Sequence, residues 1–536
     1  MVFKASVLGV LTHAIFHCAR PTALVPSLLL TGGLLGWALF SFFSGSWCAP
    51  DVALGIGTYV TALFASVALY RLSPFHPLAG YPGPPLAKVT KLWGAWNTWK
   101  GDQHRVWLRL HRTYGPFVRT GPNELSVVDA KAVVDVLGAG GILKGEYYSS
   151  RRDPSVPQTL LSMTGEEHDN DNRRRLWNRG MSLESLMEYE SVIVRPAGQL
   201  VERLKEESRR EQKAVDIVKW INFFTFDFMG DMAFGGGYHM LQDKGDEKGL
   251  WNILNRFVFA TSLVAHVPWA HDAMTKLPFV SHDLMAFRKI GHGNAAARHK
   301  AGAKVKDLWY HLSDEAELEK TRPSVRDVIA DGTLAIVVGA DATSSALASF
   351  VYCILCNPEC YQRLREEIDK VYPLSDDAMD TSRHDQLVWT NACLNETLVP
   401  PLPTNGPRQV PYGSQGATIA ESLRPPYVLH RDPRFFSPAP DTFLPSRWLS
   451  MKDGWHAGNV VDRTAFIPFS YEPANCIGSQ LARMEMGMVV SVLVQKFNFA
   501  FAEGFDRNGW LGTMHDHLVS SRGPLMLSVT ERAPGA

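Results

Sequence analysis

Charge and apolar residues are distributed very unevenly along this chain. Pro21 to Pro50 contains no charged residue, and neither does Val52 to Tyr70. At a helical rise of about 1.5 Å per residue, residues 52–70 span about 29 Å, close to the ~30 Å of a bilayer's hydrocarbon core. The pattern predicts two membrane-spanning helices, at about residues 24–43 and 52–70. Val7 to Ala19 is shorter and carries His13 and His17, which suits a third span less well. Lys4 and Arg20 precede the pair, and Arg71, Lys88 and Lys91 follow it. Positive charge on both flanks predicts a hairpin with both ends cytosolic. The apolar material is too long for a cleaved signal peptide. Leu72 to Leu86 is dense in proline and glycine, which stops a helix and stiffens a connector.

Beyond the connector the apolar period is mostly helical, as in Trp107–Tyr114, Ser182–Glu206 and Ala214–Ala233. Short alternating runs such as Phe117–Thr120, Glu124–Asp129 and Leu525–Val529 predict a few strands. The longest pattern runs from Ser324 to Asn357 and stops at Pro358. Its centre, Leu334 to Ala340, is apolar on every side, which predicts a buried helix. The chain therefore reads as an anchor (1–71), a proline-rich hinge (72–86) and one catalytic-sized domain (87–536), mainly α with small β-sheets.

Composition narrows the function. The 536 residues are 46% hydrophobic, and Lys+Arg equals Asp+Glu at 54 each, so there is no basic footprint for nucleic acid. Seven cysteines without regular spacing do not form a disulfide framework. Cys353, Cys356 and Cys360 lie in a long stretch of apolar, helical pattern with no evident fourth ligand, so they read as core. Cys476 differs from the rest. It follows a loop of turn formers (Pro468, Ser470, Pro473, Asn475) and precedes a helical run from Ile477 to Val494. A thiol at a helix N-terminus meets unpaired N–H groups that favour its thiolate. Gly478 removes a side chain where a flat cofactor would approach the backbone.

Pro468-Phe469-Ser470, Cys476-Ile477-Gly478, Leu481-Ala482 and Glu485 together resemble the haem-binding signature of the cytochrome P-450 family. The resemblance extends from about Tyr81 to about Val529, and the order of motifs is of the fungal, membrane-bound type. It implies haem b with Cys476 as axial ligand, Phe469 and Gly478 beside it, and propionate partners at Arg174 and Arg408. Gly339 to Ser345 resembles the family's oxygen-binding helix, implying proton delivery by Asp341 and Thr343. Asn391–Leu398, Tyr427–Pro433 and Phe443–Trp448 resemble the segments that form a buried ionic network, here Glu396 and Arg447.

The departures are specific. Glu472 stands where the family has glycine, Ala342 where it has the relay threonine, and Val399 where it has the arginine of Glu-x-x-Arg. A buried network missing a charge is expected to hold the scaffold loosely. The resemblance implies a haem-dependent monooxygenase that inserts one atom of O2 into a lipophilic small molecule, such as a terpenoid or other secondary metabolite. Apolar stretches such as Phe257–Trp269 fit that substrate class. Electrons would come from NADPH through NADPH-cytochrome P-450 reductase, at the endoplasmic reticulum membrane with the catalytic domain facing the cytosol. The alternatives are a haem-thiolate isomerase or peroxygenase, and a degenerate or inactive haem-binding membrane protein.

Overall fold

The computed structural model describes residues 2–19, 49–138, 159, 172–210, 214–236, 238–247, 249–267, 278–302, 305–399, 422–423, 426–453, 458–471, 475–517 and 519–532. The chain divides into two units. The first comprises Met1–Gly94, Thr113–Ser126 and Pro411–Leu423; the second comprises Ala95–Arg112, Val127–Val410 and Arg424–Ala536.

In the first unit, helix α1 (Val2–Ala19) packs along helix α2 (Ala49–Leu72). Contact is close at Gly9, where an added Cβ would come within 2.6 Å of the Tyr59 carbonyl oxygen. Ala5, Tyr59 and Leu63 are buried in the seam. The expected span at 52–70 is thus a helix, while its expected partner at 24–43 lies outside the described residues. The helix that packs on it is the one whose histidines argued against it. Those histidines face α2: His13 Nδ1 lies 2.7 Å from Ser66 Oγ, and His17 meets the Tyr70 ring edge-on at 4.5 Å. Polar groups paired between two helices do not count against their apolar outer faces.

The proline-rich connector is pinned rather than loose. Buried Arg119 donates Nη1 to the Arg71 carbonyl (3.0 Å) and Nη2 to the Pro122 carbonyl (2.8 Å). Its own N–H donates to the Pro82 carbonyl at 2.7 Å. Arg119 belongs to strand β1 (Phe117–Gly121), which pairs with β2 (Glu124–Val127); β2 in turn pairs in parallel with β4 (Ser422–Leu423).

The second unit is mainly helical. Its described elements include α3 (Asn172–Gly180), α4 (Leu183–Ser208), α5 (Ile217–Phe234), α6 (Val325–Cys356), α7 (Val388–Thr397) and α8 (Ser479–Lys496). A three-stranded antiparallel sheet orders β3 (Val215–Asp216), β6 (Met526–Glu531) and β5 (Phe497–Phe501), with Val529 opposite Phe499. Helix α5 is apolar around nearly its whole circumference and almost entirely buried, as that pattern requires. It packs on α6 at two glycines seven residues apart, which share one face. An added Cβ at Gly332 would meet Phe234 at 2.9 Å, and one at Gly339 would meet Met229 at 2.7 Å. Helix α6 starts at Ser324, whose hydroxyl accepts from the Asp327 N–H at 3.2 Å, and ends before Pro358.

Both α6 and residues 50–72 are long and apolar enough to cross a membrane, and burial separates them. The most apolar window of α6 is 67% buried within the protein, whereas that of Pro50–Leu72 is only 17% buried. The exposed helix has the length and composition of a membrane span. Removal of residues 1–71 is therefore expected to release the protein from membranes washed with carbonate. Truncated protein that still pelleted quantitatively with the membranes would contradict the anchor.

Candidate active site

Cys476 lies just before α8, held by its N–H donating to the Phe469 carbonyl at 2.7 Å. Its side chain is accessible, yet burial by surrounding protein raises the thiol above its ordinary pKa. Two groups oppose the shift and favour the thiolate: the Gly478 N–H, which hydrogen-bonds the sulfur, and the Arg174 charge. At Gly478 an added Cβ would meet no atom within 4 Å, so the backbone is open on that side. An accessible sulfur that accepts a backbone N–H, beside an open glycine, fits a flat cofactor bearing a thiolate-ligated metal.

Arg174 comes from α3, and its Nη2 donates to Asn475 Oδ1 at 2.6 Å and to the Asn475 carbonyl at 3.2 Å. The structure thus brings Arg174 to the residue next to Cys476. Phe469 is half-buried, with the Arg483 guanidinium 5.1 Å from its ring centroid. Arg408 and Glu472 lie outside the described residues.

Helix α6 is mostly buried near its middle, but one stripe is not. Val338, Ala342, Ser345 and Ala346 keep accessible surface at helical spacing, and Ala342 is the most open. Asp341 and Thr343 flank this stripe, each about 100° around the helix from Ala342 and therefore well apart from each other. Both are buried. Burial alone raises the Asp341 carboxyl to about 6. The Thr343 hydroxyl is hydrogen-bonded to Glu485 of α8. The expected Asp341–Thr343 pair is thus not assembled: two residues of helical turn send the side chains to opposite sides. Nothing in the sequence marked Glu485 as Thr343's partner, because the two are 142 positions apart. Ser345, whose hydroxyl lies on the open stripe, was likewise not singled out.

Glu396 and Arg447 do meet. Glu396 is fully buried near the end of α7, and its Oε2 accepts from Arg447 Nε at 3.0 Å and Trp448 Nε1 at 2.7 Å. Its Oε1 accepts from the Leu444 N–H at 2.9 Å. Burial still pushes the carboxyl up to about 7, with Arg447 and these donors pulling it back. Val399, at the position of the absent arginine, is buried in an apolar cluster with Tyr427, Phe436 and Ile467. Trp448 and a backbone amide fill the donor role at Glu396, so the missing charge leaves the carboxylate covered. Arg447 is covered only in part: Nη2 donates to the carbonyls of Ala439 and Thr442, while its buried Nη1 has no hydrogen-bond partner.

Comparison with known proteins follows the same outline. The family model for cytochrome P450 matches residues 82–527. A cytochrome P450 monooxygenase (orf5) of Eupenicillium brefeldianum is 30% identical, covering 88% of this chain and 95% of its own length. The cytochrome P450 monooxygenase cpaH of Aspergillus oryzae is 32% identical over 87% of this chain and 91% of its own length. A tryprostatin B 6-hydroxylase of Aspergillus fumigatus is 30% identical over 90% of this chain and 86% of its own length.

Two expected outcomes follow from these carboxyl groups. Asp341 has a folded-state value raised from 3.8 to about 6. Its contribution to stability is complete below its unfolded-state value and is lost as pH rises through about 6. Asp341→Asn is therefore expected to stabilise the protein by about 3 kcal/mol at pH 7.5, an advantage that vanishes near pH 4. Denaturant unfolding at the two pH values reads this directly, and equal gains at both would refute it. Arg447→Met should cost about 3–5 kcal/mol, because it strands Glu396 as an uncompensated buried charge. A loss under 1 kcal/mol in the same assay would mean that Trp448 and the Leu444 amide suffice.

Proposed function

This chain belongs to the cytochrome P450 family of monooxygenases, and on that premise we propose that it inserts one atom of O2 into a lipophilic secondary metabolite. The net reaction converts a C–H bond and O2, with two electrons and two protons, into a C–OH group and water. Haem, which the family implies, supplies O2 activation when bound, and a thiolate ligand favours O–O cleavage. The accessible Cys476 sulfur, held by the Gly478 N–H, is the observation that carries this reading. Cys476 would ligate the iron, with Gly478 and Phe469 beside the ring. Arg174 and Arg408 would hold the propionates, since guanidinium and carboxylate form charge-assisted, bidentate pairs. Arg174 would then exchange Asn475 for a propionate.

Asp341 would act as a proton courier from its side of the open stripe on α6, because a carboxyl raised to about 6 both holds and releases protons near neutrality. Electrons would come from NADPH through a flavoprotein reductase. The exposed apolar helix Ala49–Leu72 supports a place at the endoplasmic reticulum membrane, with the catalytic unit in the cytosol. A relative named for tryprostatin B hydroxylation and the apolar stretch at Phe257–Val267 support a lipophilic natural product as substrate.

One observation favours a second reading. Ala342, the most accessible residue of the stripe, offers no hydroxyl, and an isomerase or peroxygenase on this fold would need no such group. Turnover that proceeds with peroxide, or without any oxidant, and ignores NADPH would identify it. For the principal reading, Cys476→Ala is expected to abolish the thiolate-type shift of the reduced carbonmonoxy spectrum. A purified variant that keeps the shift would remove Cys476 as ligand.

A further inference from the structure

Helices α1 and α2 of the first unit share a register that has no part in the reaction. Three of the contacts between them each join residues 53 positions apart. An added Cβ at Gly9 would lie 3.2 Å from Ala62 Cβ, His13 Nδ1 lies 2.7 Å from Ser66 Oγ, and the His17 ring meets that of Tyr70. A constant separation means that the two helices run in the same direction, because antiparallel partners keep a constant sum. Ala19 therefore lies at the Leu72 end of the pair, and Ala49 lies at the end where α1 begins. Side chains on the pair are also arranged inside out relative to a helix pair in water. The seam holds small residues, Ala5 and Gly9, and polar ones bonded across it: besides His13, Thr12 Oγ1 accepts from Tyr59 Oη at 3.2 Å. Phe3, Val10, Leu11 and Ile15 of α1 and Phe64 and Leu69 of α2 are exposed. Close backbones, hydrogen bonds across the seam and apolar outer faces are how helices pair in lipid.

We propose that α1 is itself a membrane span, so that the chain crosses the bilayer three times before the connector. Its N-terminus then lies on the opposite side of the membrane from the chain that leaves α2 at Leu72. The 18 residues of α1 are about 27 Å long, near the ~30 Å of the hydrocarbon core, and Ala5 to Ala19 contains no charged residue. Two parallel spans in one chain need a return crossing between them. That return falls to residues 20–48, which join points about 35 Å apart along the pair. Pro21 to Pro50 contains no charged residue, so a path through the bilayer buries no charge. The flanking basic residues agree. Arg20 follows α1 and Arg71 is in the last turn of α2, at one end of the pair, with Lys88 and Lys91 soon after; at the other end Lys4 is the one Lys or Arg. Excess Lys and Arg mark the first end as cytosolic. The two spans expected from uncharged runs are then the second and third crossings. The competing account keeps α1 off the bilayer, which leaves Phe3, Val10, Leu11 and Ile15 facing water.

This topology rests on the membrane placement proposed above, from which a carbonate wash separates it. Full-chain protein is made in sealed endoplasmic reticulum microsomes whose cytosolic face is outward. An Asn-x-Thr glycosylation acceptor on a flexible N-terminal extension is expected to gain a glycan, which marks the lumenal side. A protease site inserted after Arg20 is expected to be cut by protease added outside, because that point lies on the cytosolic side. The register is read separately in a Cys18→Ser, Cys48→Ser background. Oxidation of the His13→Cys, Ser66→Cys protein should join the two helices by a disulfide, since those side chains already meet. The His17→Cys, Tyr59→Cys protein should link at least roughly tenfold less, because those positions are about 16 Å apart along the axis.

An N-terminal acceptor that stays unmodified on membrane-bound protein overturns the proposal and leaves a two-span hairpin. A modified N-terminus with a protected site after Arg20 overturns it too, and leaves α2 as the one span. Equal linking in the two cysteine pairs overturns the parallel register on which it is built. If the inserted site keeps the chain out of the membrane, labelling of Arg20→Cys from outside by an impermeant maleimide decides the same point. Protein that a carbonate wash releases entirely refutes the membrane placement, and the three crossings with it. NADPH-driven turnover reports on the monooxygenase reading independently of all these outcomes.

Discussion

Dehydration of carboxyl groups is the constraint on which the second unit turns. Asp341, Glu396 and Glu485 are all buried, and each would cost several kcal/mol as an isolated charge. The protein resolves them in three ways. Glu396 is covered by Arg447, Trp448 and the Leu444 amide and ties the end of α7 to the segment around Trp448. Among the described residues no cation pairs with Glu485, and burial holds its carboxyl well above the ordinary range. Asp341 has burial alone acting on it and sits at an intermediate value. Glu396 ties two segments together, whereas Asp341 on α6 and Glu485 on α8 hold carboxyls that burial raises.

Packing makes that stripe possible. Helix α6 presents Gly332 and Gly339 to α5, which draws the two helices together until an added Cβ would touch Phe234 and Met229. With that face fixed, the turn of the helix determines where Asp341, Ala342 and Thr343 emerge. Helix α8 is fixed independently by its apolar, nearly all-round burial beyond Leu481. Its N-terminus carries the Gly478 N–H to the Cys476 sulfur, and its second turn and beyond carry Glu485 to Thr343. The thiol and this carboxyl are thus both placed by the N-terminal part of one element, so a shift of α8 would disturb both.

Much of this was legible in the sequence, for local reasons. The uncharged run at 52–70 predicted a long apolar helix, and Ala49–Leu72 is one. The all-round apolar centre of Leu334–Ala340 required burial, and Pro358 fixed the end of α6. Cys476 stood out because turn formers before it and helical spacing after it set a helix start at that point.

What lay beyond the sequence involves partners distant along the chain. No period or motif says that His13 will face Ser66, so a helix with two histidines was passed over as a packing partner for α2. Nor did the sequence show the further donors at Glu396, because Trp448 and the Leu444 amide reach it only once the chain has folded back on α7. Thr343 was matched to the nearest acid in sequence, whereas the fold gave it Glu485 from another helix. Local sequence determined which residues would be helical, buried or open at a helix start, since those depend on neighbours within a turn or two. Which buried polar group meets which was decided by tertiary structure alone, because hydrogen-bond partners are set by distances of about 3 Å in space.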